Sequence, residues 1–160
     1  MTTTDNELID FYRETVLRHS RDPHNFRRMA GPDREATGHN PLCGDKLTVY
    51  VDLEDGNIAD VSFEGSGCAI SLASASIMTD TIAGLAEDKA RAHIGTVMDQ
   101  FKPDAQTSPA DGQLGAIEAL RGVRRYPSRV KCATLAWKTL AAALDRTSHP
   151  VSTESAEEQR

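Results

Sequence analysis

The feature that most constrains this fold is a pair of alternating apolar stretches joined by a tight turn. Residues 46–53 (KLTVYVDL) and 58–64 (IADVSFE) each place apolar side chains at every second position. The apolar positions are Leu47, Val49, Val51 and Leu53 in the first stretch and Ala59, Val61 and Phe63 in the second. Asp55-Gly56, which lies between them, is a dipeptide typical of hairpin turns. The pattern predicts an antiparallel β-hairpin with one apolar face, which other elements must cover.

Helical periodicity on both sides of the hairpin predicts the elements that cover it. The predicted helices span residues 5–20, 69–85, 87–101, 113–121 and 128–145. Residues 22–41 and 102–112 contain several prolines and glycines and are expected to be irregular. A third strand within 34–41 is left open, because no alternation of apolar residues indicates it. The expected class is α+β, a small antiparallel β-sheet with helices packed on one face.

One domain accounts for the length of the chain. A chain of 160 residues matches the usual size of a single domain and can bury an ordinary core. Residues 147–160 are polar and almost devoid of large apolar side chains, which predicts a disordered acidic tail. We therefore expect a single domain over residues 1–146 followed by that tail.

Charge and hydropathy argue against two classes of partner. The formal net charge is −6 and aromatic residues make up 5% of the chain, whereas nucleic-acid-binding proteins usually carry a basic excess. No apolar run approaches the ~20 residues that cross a bilayer. The acidic first residues lack the features of a signal peptide. We expect a soluble cytoplasmic protein without a nucleic-acid or membrane partner.

Cys43 is the first of three cysteines that are candidates for chemistry. An odd number of cysteines argues against a disulfide framework, and buried packing is the plain alternative for each. Cys43 lies in the segment NPLCGDK, where Asp45 follows two residues later across a glycine. Sulfur and oxygen both bind Zn²⁺, so the pair could share a metal. Equally, Asp45 could only hydrogen-bond its own turn.

Cys68 and Cys132 both lie near predicted helix starts. Cys68 follows Gly-Ser-Gly where the second strand gives way to a helix, and a helix N-terminus stabilises a thiolate. The alternative is a buried cysteine whose glycines serve only the turn. Cys132 lies about 200° around its helix from Val130, so it is predicted to point away from the apolar stripe. The basic residues before it, which would offset thiolate charge or form an ordinary solvated patch, are Arg124, Arg125, Arg129 and Lys131.

The positions of the cysteines taken together indicate one site, and antiparallel pairing accounts for two of them. Cys43 precedes the first strand of the hairpin and Cys68 follows the second, and such ends meet in space. Cys132 has to arrive from the distant last helix. The spacing differs from the paired Cys-x-x-Cys pattern of a zinc ribbon.

The cysteines also lie within longer motifs that occur in a fixed order over residues 7–145. These are RDPHNF (21–26) after the first helix, NPLCGD (40–45), FEGSGCAIS (63–71), the Ser/Ala/Met-rich helix that follows, and RVKCATLAW (129–137). In these motifs the chain resembles the iron–sulfur scaffold superfamily that includes IscU and NifU, and most closely its SufU branch. The resemblance implies a compact α+β domain with the cysteines at an exposed end.

The same resemblance implies a role for each site residue. Cys43, Asp45, Cys68 and Cys132 would bind one Zn²⁺, and Cys43 would accept persulfide sulfur from a SUF-type cysteine desulfurase. The sulfur would then pass to the downstream SUF cluster-assembly machinery. Because Cys43 must leave the metal to react, the partner enzyme is expected to supply a replacement ligand such as a histidine. His24 and His39 lie in the segment expected to be irregular and could approach the ligands, but each is interpreted as a surface or turn residue.

Two departures from IscU favour sulfur transfer over cluster scaffolding. Lys131 stands where IscU-type scaffolds have a histidine before the third cysteine, and residues 126–131 (YPSRVK) replace their Leu-Pro-Pro-Val-Lys chaperone-binding segment. The stretch between Cys68 and Cys132 is also longer than in IscU. The alternative is a scaffold on which a [2Fe–2S] cluster is assembled and transferred. A structural zinc module is a third hypothesis, and a cysteine hydrolase is disfavoured because no His/Asn constellation accompanies the thiols.

Overall fold

The computed structural model describes residues 13–102, 115–146 and 151–153. A four-stranded sheet has the order β3-β2-β1-β4. Its strands are β1 (Arg34–Asn40), β2 (Asp45–Glu54), β3 (Asn57–Ser66) and β4 (Val151–Ser152). The α-helices are α1, described over residues 13–21, α2 (Ala69–Ile82), α3 (Glu87–Gln100) and α4 (Pro127–Leu144), and a 3₁₀ helix (Gly115–Arg125) precedes α4. The α+β class is confirmed.

Strands β2 and β3 form the predicted hairpin. Its turn residues Asp55 and Gly56 have φ angles of 53° and 81°, the positive values that a type I′ turn requires. The predicted apolar face of the hairpin is confirmed except at the start of β3, where Ile58 is buried instead of the predicted Ala59, which is exposed. The pairing shifts register beyond Asp52. Ala59 is therefore the extra residue of a β-bulge, which reverses the alternation locally.

Strand β1 is the third strand that the sequence left open. It pairs antiparallel with β2 along its whole length, so the expectation of irregular structure over 22–41 is wrong for residues 34–40. Its buried positions are Ala36, Gly38 and Asn40, which are small or polar and show no hydrophobic alternation. A Cβ on Gly38 would lie 2.1 Å from the Thr139 Oγ1. Helix α4 therefore crosses β1 too closely for a larger side chain.

Helices α2 and α4 pack together and cover the sheet. Helix α4 contacts β1 and β2, α2 contacts β3, and α3 packs against α4. Trp137 of α4 is fully buried and donates from Nε1 to the Ser74 Oγ of α2 at 2.9 Å, while this hydroxyl donates to the Ala133 carbonyl at 2.6 Å. These bonds satisfy polar groups that would otherwise be costly to bury.

The predicted helix bounds agree with the structure to within three residues for α2, α3 and α4. The short helix expected over 113–121 is instead a 3₁₀ helix over Gly115–Arg125. Residues 5–12 of the first predicted helix and most of the loop expected over 102–112 lie outside the described residues. Among the described helices, none combines the length and the apolar character needed to cross a bilayer.

Strand β4 corrects the prediction of a disordered tail for residues 151–153. It pairs parallel with β1 at Gly38 and His39, which makes the sheet mixed. The Thr153 amide donates to the His39 carbonyl at 3.1 Å, and the Thr153 hydroxyl donates to the Asn40 side chain at 3.0 Å. The segment is held mainly by backbone pairing at the sheet edge, and its low content of apolar side chains gives no sign of that pairing. Residues 147–150 and 154–160 lie outside the described residues.

Candidate metal centre

Four separate elements bring the predicted site residues to one end of the sheet. Cys43 lies in the turn between β1 and β2, and Asp45 is the first residue of β2. Cys68 caps the N-terminus of α2, and Cys132 lies in the second turn of α4. The pairing of Lys46 with Ser66 brings the two ends of the hairpin together, as the antiparallel arrangement predicts.

Three of the four side chains form a tight group. The ligand atoms of Cys43, Asp45 and Cys132 all lie within 4.8 Å of one another, and the sulfur atoms of Cys43 and Cys132 are 3.4 Å apart. Cys68 lies beside this group, since its amide donates to the Asp45 Oδ1 at 2.8 Å. Its thiol accepts from the Ser71 amide at 3.4 Å, as an N-cap side chain does.

The Asp45 carboxylate is buried and accepts hydrogen bonds from Asn40, at the other end of the turn, and from Cys68. Asp45 is 1% exposed, and its Oδ2 accepts a hydrogen bond from the Asn40 Nδ2 at 3.2 Å. Oδ1 accepts from the Cys68 amide, and a Cβ on Gly67 would lie only 2.7 Å from this oxygen. The glycine before Cys68 thus permits the close approach of Asp45. Each carboxylate oxygen keeps lone-pair capacity for a further partner.

Asn40 is a positioning residue that the sequence argument missed. It is fully buried, and its Nδ2 donates both to Asp45 and to the Cys132 Sγ at 3.5 Å. Its Oδ1 accepts from the Leu42 amide at 3.2 Å and from the Thr153 hydroxyl. The Leu42 bond is an Asx-type turn, and Asn followed by Pro was the available sequence signal.

Cys132 is buried, which corrects the prediction that it points away from the apolar stripe. It has no exposed surface and belongs to the hydrophobic core, because α4 contacts the sheet, α2, α3 and the 3₁₀ helix. Burial is the main cause that raises the pKa of this thiol far above its usual range, and the contacts with Cys43 and Cys68 add to the effect. Without a metal the thiol is therefore held protonated, and binding a metal would release that proton.

Cys43 is the exposed member of the group. It lies in the four-residue turn 41–44, whose chain reversal is closed by bonds from the Cys43 and Gly44 amides to the Asn40 carbonyl at 3.2 and 2.8 Å. Gly44 has a φ of 77°, a left-handed conformation that glycine adopts without strain. Cys43 is thus an exposed residue on a loop, while Cys132 is buried in the core.

The two histidines of the irregular segment do not join the centre. His24 is exposed, and its Nδ1 lies 2.5 Å from the Asp80 Oδ2, near the end of α2 that is far from Cys68. His39 lies on β1, where it pairs with Lys46. Of the basic residues before Cys132, Arg129 is exposed in the first turn of α4; the side chains of Arg124 and Arg125 lie outside the described residues.

The donor set fits Zn²⁺. Three thiols and one carboxylate match the number and type of ligands that tetrahedral zinc takes in proteins. The same thiols are the usual ligands of iron–sulfur clusters, so the donor set alone leaves both kinds of metal centre open.

Comparisons with known proteins find relatives of both kinds, an iron–sulfur cluster scaffold and a zinc-dependent protein. The sequence profile of the family described as "NifU-like N terminal domain" matches residues 11–146. The iron-sulfur cluster assembly scaffold protein IscU of Streptococcus pyogenes serotype M1 is 35% identical over 144 residues, covering 90% of this chain and 89% of that protein. The zinc-dependent sulfurtransferase SufU of Bacillus subtilis (strain 168) is 37% identical over 133 residues, covering 83% and 88%.

A solved structure shows the same fold. The crystal structure described as a putative iron-sulfur cluster assembly scaffold protein for the SUF system, from Fervidobacterium islandicum AW-1, superposes with a TM-score of 0.74. It is 32% identical, and the match covers 82% of this chain and 94% of that chain.

Proposed function

The chain belongs to the family of the NifU-like N-terminal domain, within the superfamily that includes IscU and SufU, and we propose that it serves iron–sulfur cluster assembly as a zinc-dependent sulfurtransferase. In this role it accepts persulfide sulfur from a SUF-type cysteine desulfurase and delivers it to the downstream SUF cluster-assembly machinery. The observation that carries the proposal is that Cys43, an exposed residue, places its sulfur within 4.8 Å of the ligand atoms of the buried Asp45 and Cys132.

We assign the zinc ligands as Cys43, Asp45, Cys68 and Cys132. Three of the four already converge within 4.8 Å, and Cys68 is tied to the group through its amide bond to Asp45. Bound zinc would keep the thiols in the thiolate form, which is the nucleophilic form. Asn40 orients both Asp45 and Cys132, the role that outer-shell residues play in metal sites.

We assign Cys43 as the sulfur acceptor. Its thiolate would attack the terminal sulfur of the desulfurase persulfide, forming a new sulfur–sulfur bond on Cys43 as the old bond breaks. The electron pair of the broken bond leaves with the desulfurase cysteine as thiolate, so no external oxidant or reductant is required. Exposure and the Gly44 turn support this choice, whereas Cys132 is locked in the core.

Apolar surface near Cys43 supports docking of a protein partner. Leu42, the residue before Cys43, is 62% exposed. Tyr126 is 59% exposed and lies at the N-cap of α4, the helix that carries Cys132. Large exposed apolar side chains beside a reactive group are typical of interaction surfaces. We propose that the desulfurase contacts this side of the molecule.

A second candidate function is a scaffold for a [2Fe–2S] cluster. The IscU relative of Streptococcus pyogenes, an iron–sulfur cluster assembly scaffold protein, favours it, and the three thiols suit the cluster chemically. Lys131 in place of a histidine before Cys132 favours the sulfurtransferase instead, because it removes a side chain able to serve as a ligand.

Metal analysis and sulfur mapping distinguish the two functions. Protein purified without oxygen is expected to be colourless with at least one zinc per chain, while a scaffold would be brown and absorb visible light. The protein is then mixed with a cognate desulfurase and cysteine, and persulfide is mapped by mass spectrometry under non-reducing conditions. Persulfide on Cys43 that is lost in Cys43→Ala and retained in the control Gly95→Ala, an open position in α3, supports the proposal. Labelling of Cys68 or Cys132 at the wild-type rate in Cys43→Ala defeats it.

A further inference from the structure

A second group of potential metal ligands lies away from the cysteine centre. It consists of His19 in α1, His24 in the turn that follows, and Asp80 near the end of α2, and we call it the histidine cluster. One ligand atom from each residue lies within 4.8 Å of the other two. Asp80 is twelve residues along α2 from Cys68, which is about 18 Å at the helical rise. The cluster is therefore independent of the cysteine centre.

The cluster combines one anchored ligand with two that solvent can reach. His19 is 5% exposed, while the side chains of His24 and Asp80 are 46% and 44% exposed. An ion can therefore reach the site from solvent, and the buried His19 provides a ligand in a fixed position. Burial lowers the pKa of His19, which keeps its imidazole in the neutral form that binds metals.

Polar neighbours hold the three ligands in place. The buried Ser76 Oγ lies 2.7 Å from the His19 Nδ1 and accepts from the His24 amide at 2.8 Å. Asn25 donates from Nδ2 to the Asp80 Oδ1 at 3.4 Å. Protein metal sites use partners of this kind to orient imidazoles and carboxylates.

We propose that the histidine cluster binds a divalent transition-metal ion, of which Zn²⁺ is the representative. Two imidazoles and one carboxylate are a known ligand set for zinc, with a fourth position left for water or substrate. The set contains no sulfur, so its preference among metals differs from that of the thiol-rich cysteine centre. The competing explanation is purely structural, namely that the His24–Asp80 contact only fastens the turn after α1 to α2.

Zinc titration of the full chain, with the cysteine centre loaded first, tests the proposal. Elemental analysis after dialysis is expected to give a second equivalent of zinc, and its affinity is measured by calorimetry. Removing one of three ligands, in His24→Ala or Asp80→Asn, is expected to weaken the second equivalent by more than about 100-fold and to spare the first. The matched control His39→Ala removes a histidine outside the cluster and is expected to keep both equivalents.

Nuclear magnetic resonance of the histidine ring nitrogens in the wild type provides a test that needs no variant. The second equivalent is expected to shift the ring nitrogens of His19 and His24 while leaving those of His39 unchanged. A single zinc per chain, a second zinc retained by both variants, or unchanged ring nitrogens would overturn the proposal. Because the first equivalent reports the cysteine centre separately, failure there does not affect the outcome for the histidine cluster.

Discussion

Substituting Gly67 tests whether the approach of Asp45 to Cys68 stabilises the metal centre. In Gly67→Ala the new Cβ would lie 2.7 Å from the Asp45 Oδ1 and 3.2 Å from its Cβ and Cγ. Asp45 is buried and each of its carboxylate oxygens accepts a hydrogen bond, so its side chain cannot rotate away from the new Cβ without breaking these bonds. Overpacking of this kind costs about 1–3 kcal/mol, which lowers the melting temperature of a chain this size by roughly 2–12 °C.

The effect should reach the metal as well as the fold. Because Asp45 carries the proposed oxygen ligand and binds the Cys68 amide, its displacement is expected to speed zinc loss to a chelator by about 10-fold or more. Thermal unfolding of the metal-free protein and chelator competition of the zinc form measure the two effects separately. The control is Gly95→Ala, an open position in α3 where alanine is expected to stabilise the helix by about 0.5–1 kcal/mol. An unchanged melting temperature, or a lowered one with wild-type zinc retention, would refute the reasoning.

Three further predictions concern the metal centre, the helix–sheet contact and pH. Asp45→Ala is expected to keep the fold by circular dichroism but to lose zinc faster and oxidise its thiols more readily; wild-type zinc retention and wild-type stimulation of the desulfurase would show that Asp45 is no functional ligand. Gly38→Ala is expected to cost about 3 kcal/mol in urea unfolding, because its Cβ would lie 2.1 Å from the Thr139 Oγ1. Thr139→Ala in the same chain should recover part of that loss, and no recovery would place the clash elsewhere. Burial lowers the pKa of His93 below its ordinary 6.5, so the unfolded chain takes up a proton first and the free energy of unfolding falls as pH drops through 6.5. Because burial also lowers the pKa of His19, His93→Leu should make this pH dependence less steep without abolishing it, and an equally steep curve would contradict the reasoning.

The hairpin and the helices could be predicted from the sequence because their signals are local. Alternation over 46–53 and helical spacing over 69–85 each identify the buried side of one element without knowledge of its partner. Strand β1 lacks that signal, because α4 lies so close that its inward positions hold Ala36 and Gly38. Ala59 was misplaced for a similar reason, since a bulge depends on how two strands pair.

The proximity of two of the four candidate ligands could also be predicted from local sequence patterns. Antiparallel pairing alone predicts that Cys43 and Cys68 meet, and the structure places both at one end of the hairpin. The burial of Cys132 could not be predicted from helical spacing, because it depends on how many neighbours surround α4. Asn40 and Thr153 are bonded to each other across 113 residues of sequence, and no local pattern indicates such a contact.

The sequence by itself determined the hairpin and the helices that carry the four candidate ligands, the identity of those candidates and the glycines beside them. These properties depend on side-chain chemistry and on periodicities of two and 3.6 residues, which are present in any short window. Tertiary structure alone decided that Cys132 reaches Cys43, that Asn40 orients the centre, and that His19 and His24 meet Asp80. Each of these contacts joins residues more than 50 positions apart or depends on the packing of several elements, and it forms only once the shared core has fixed their positions.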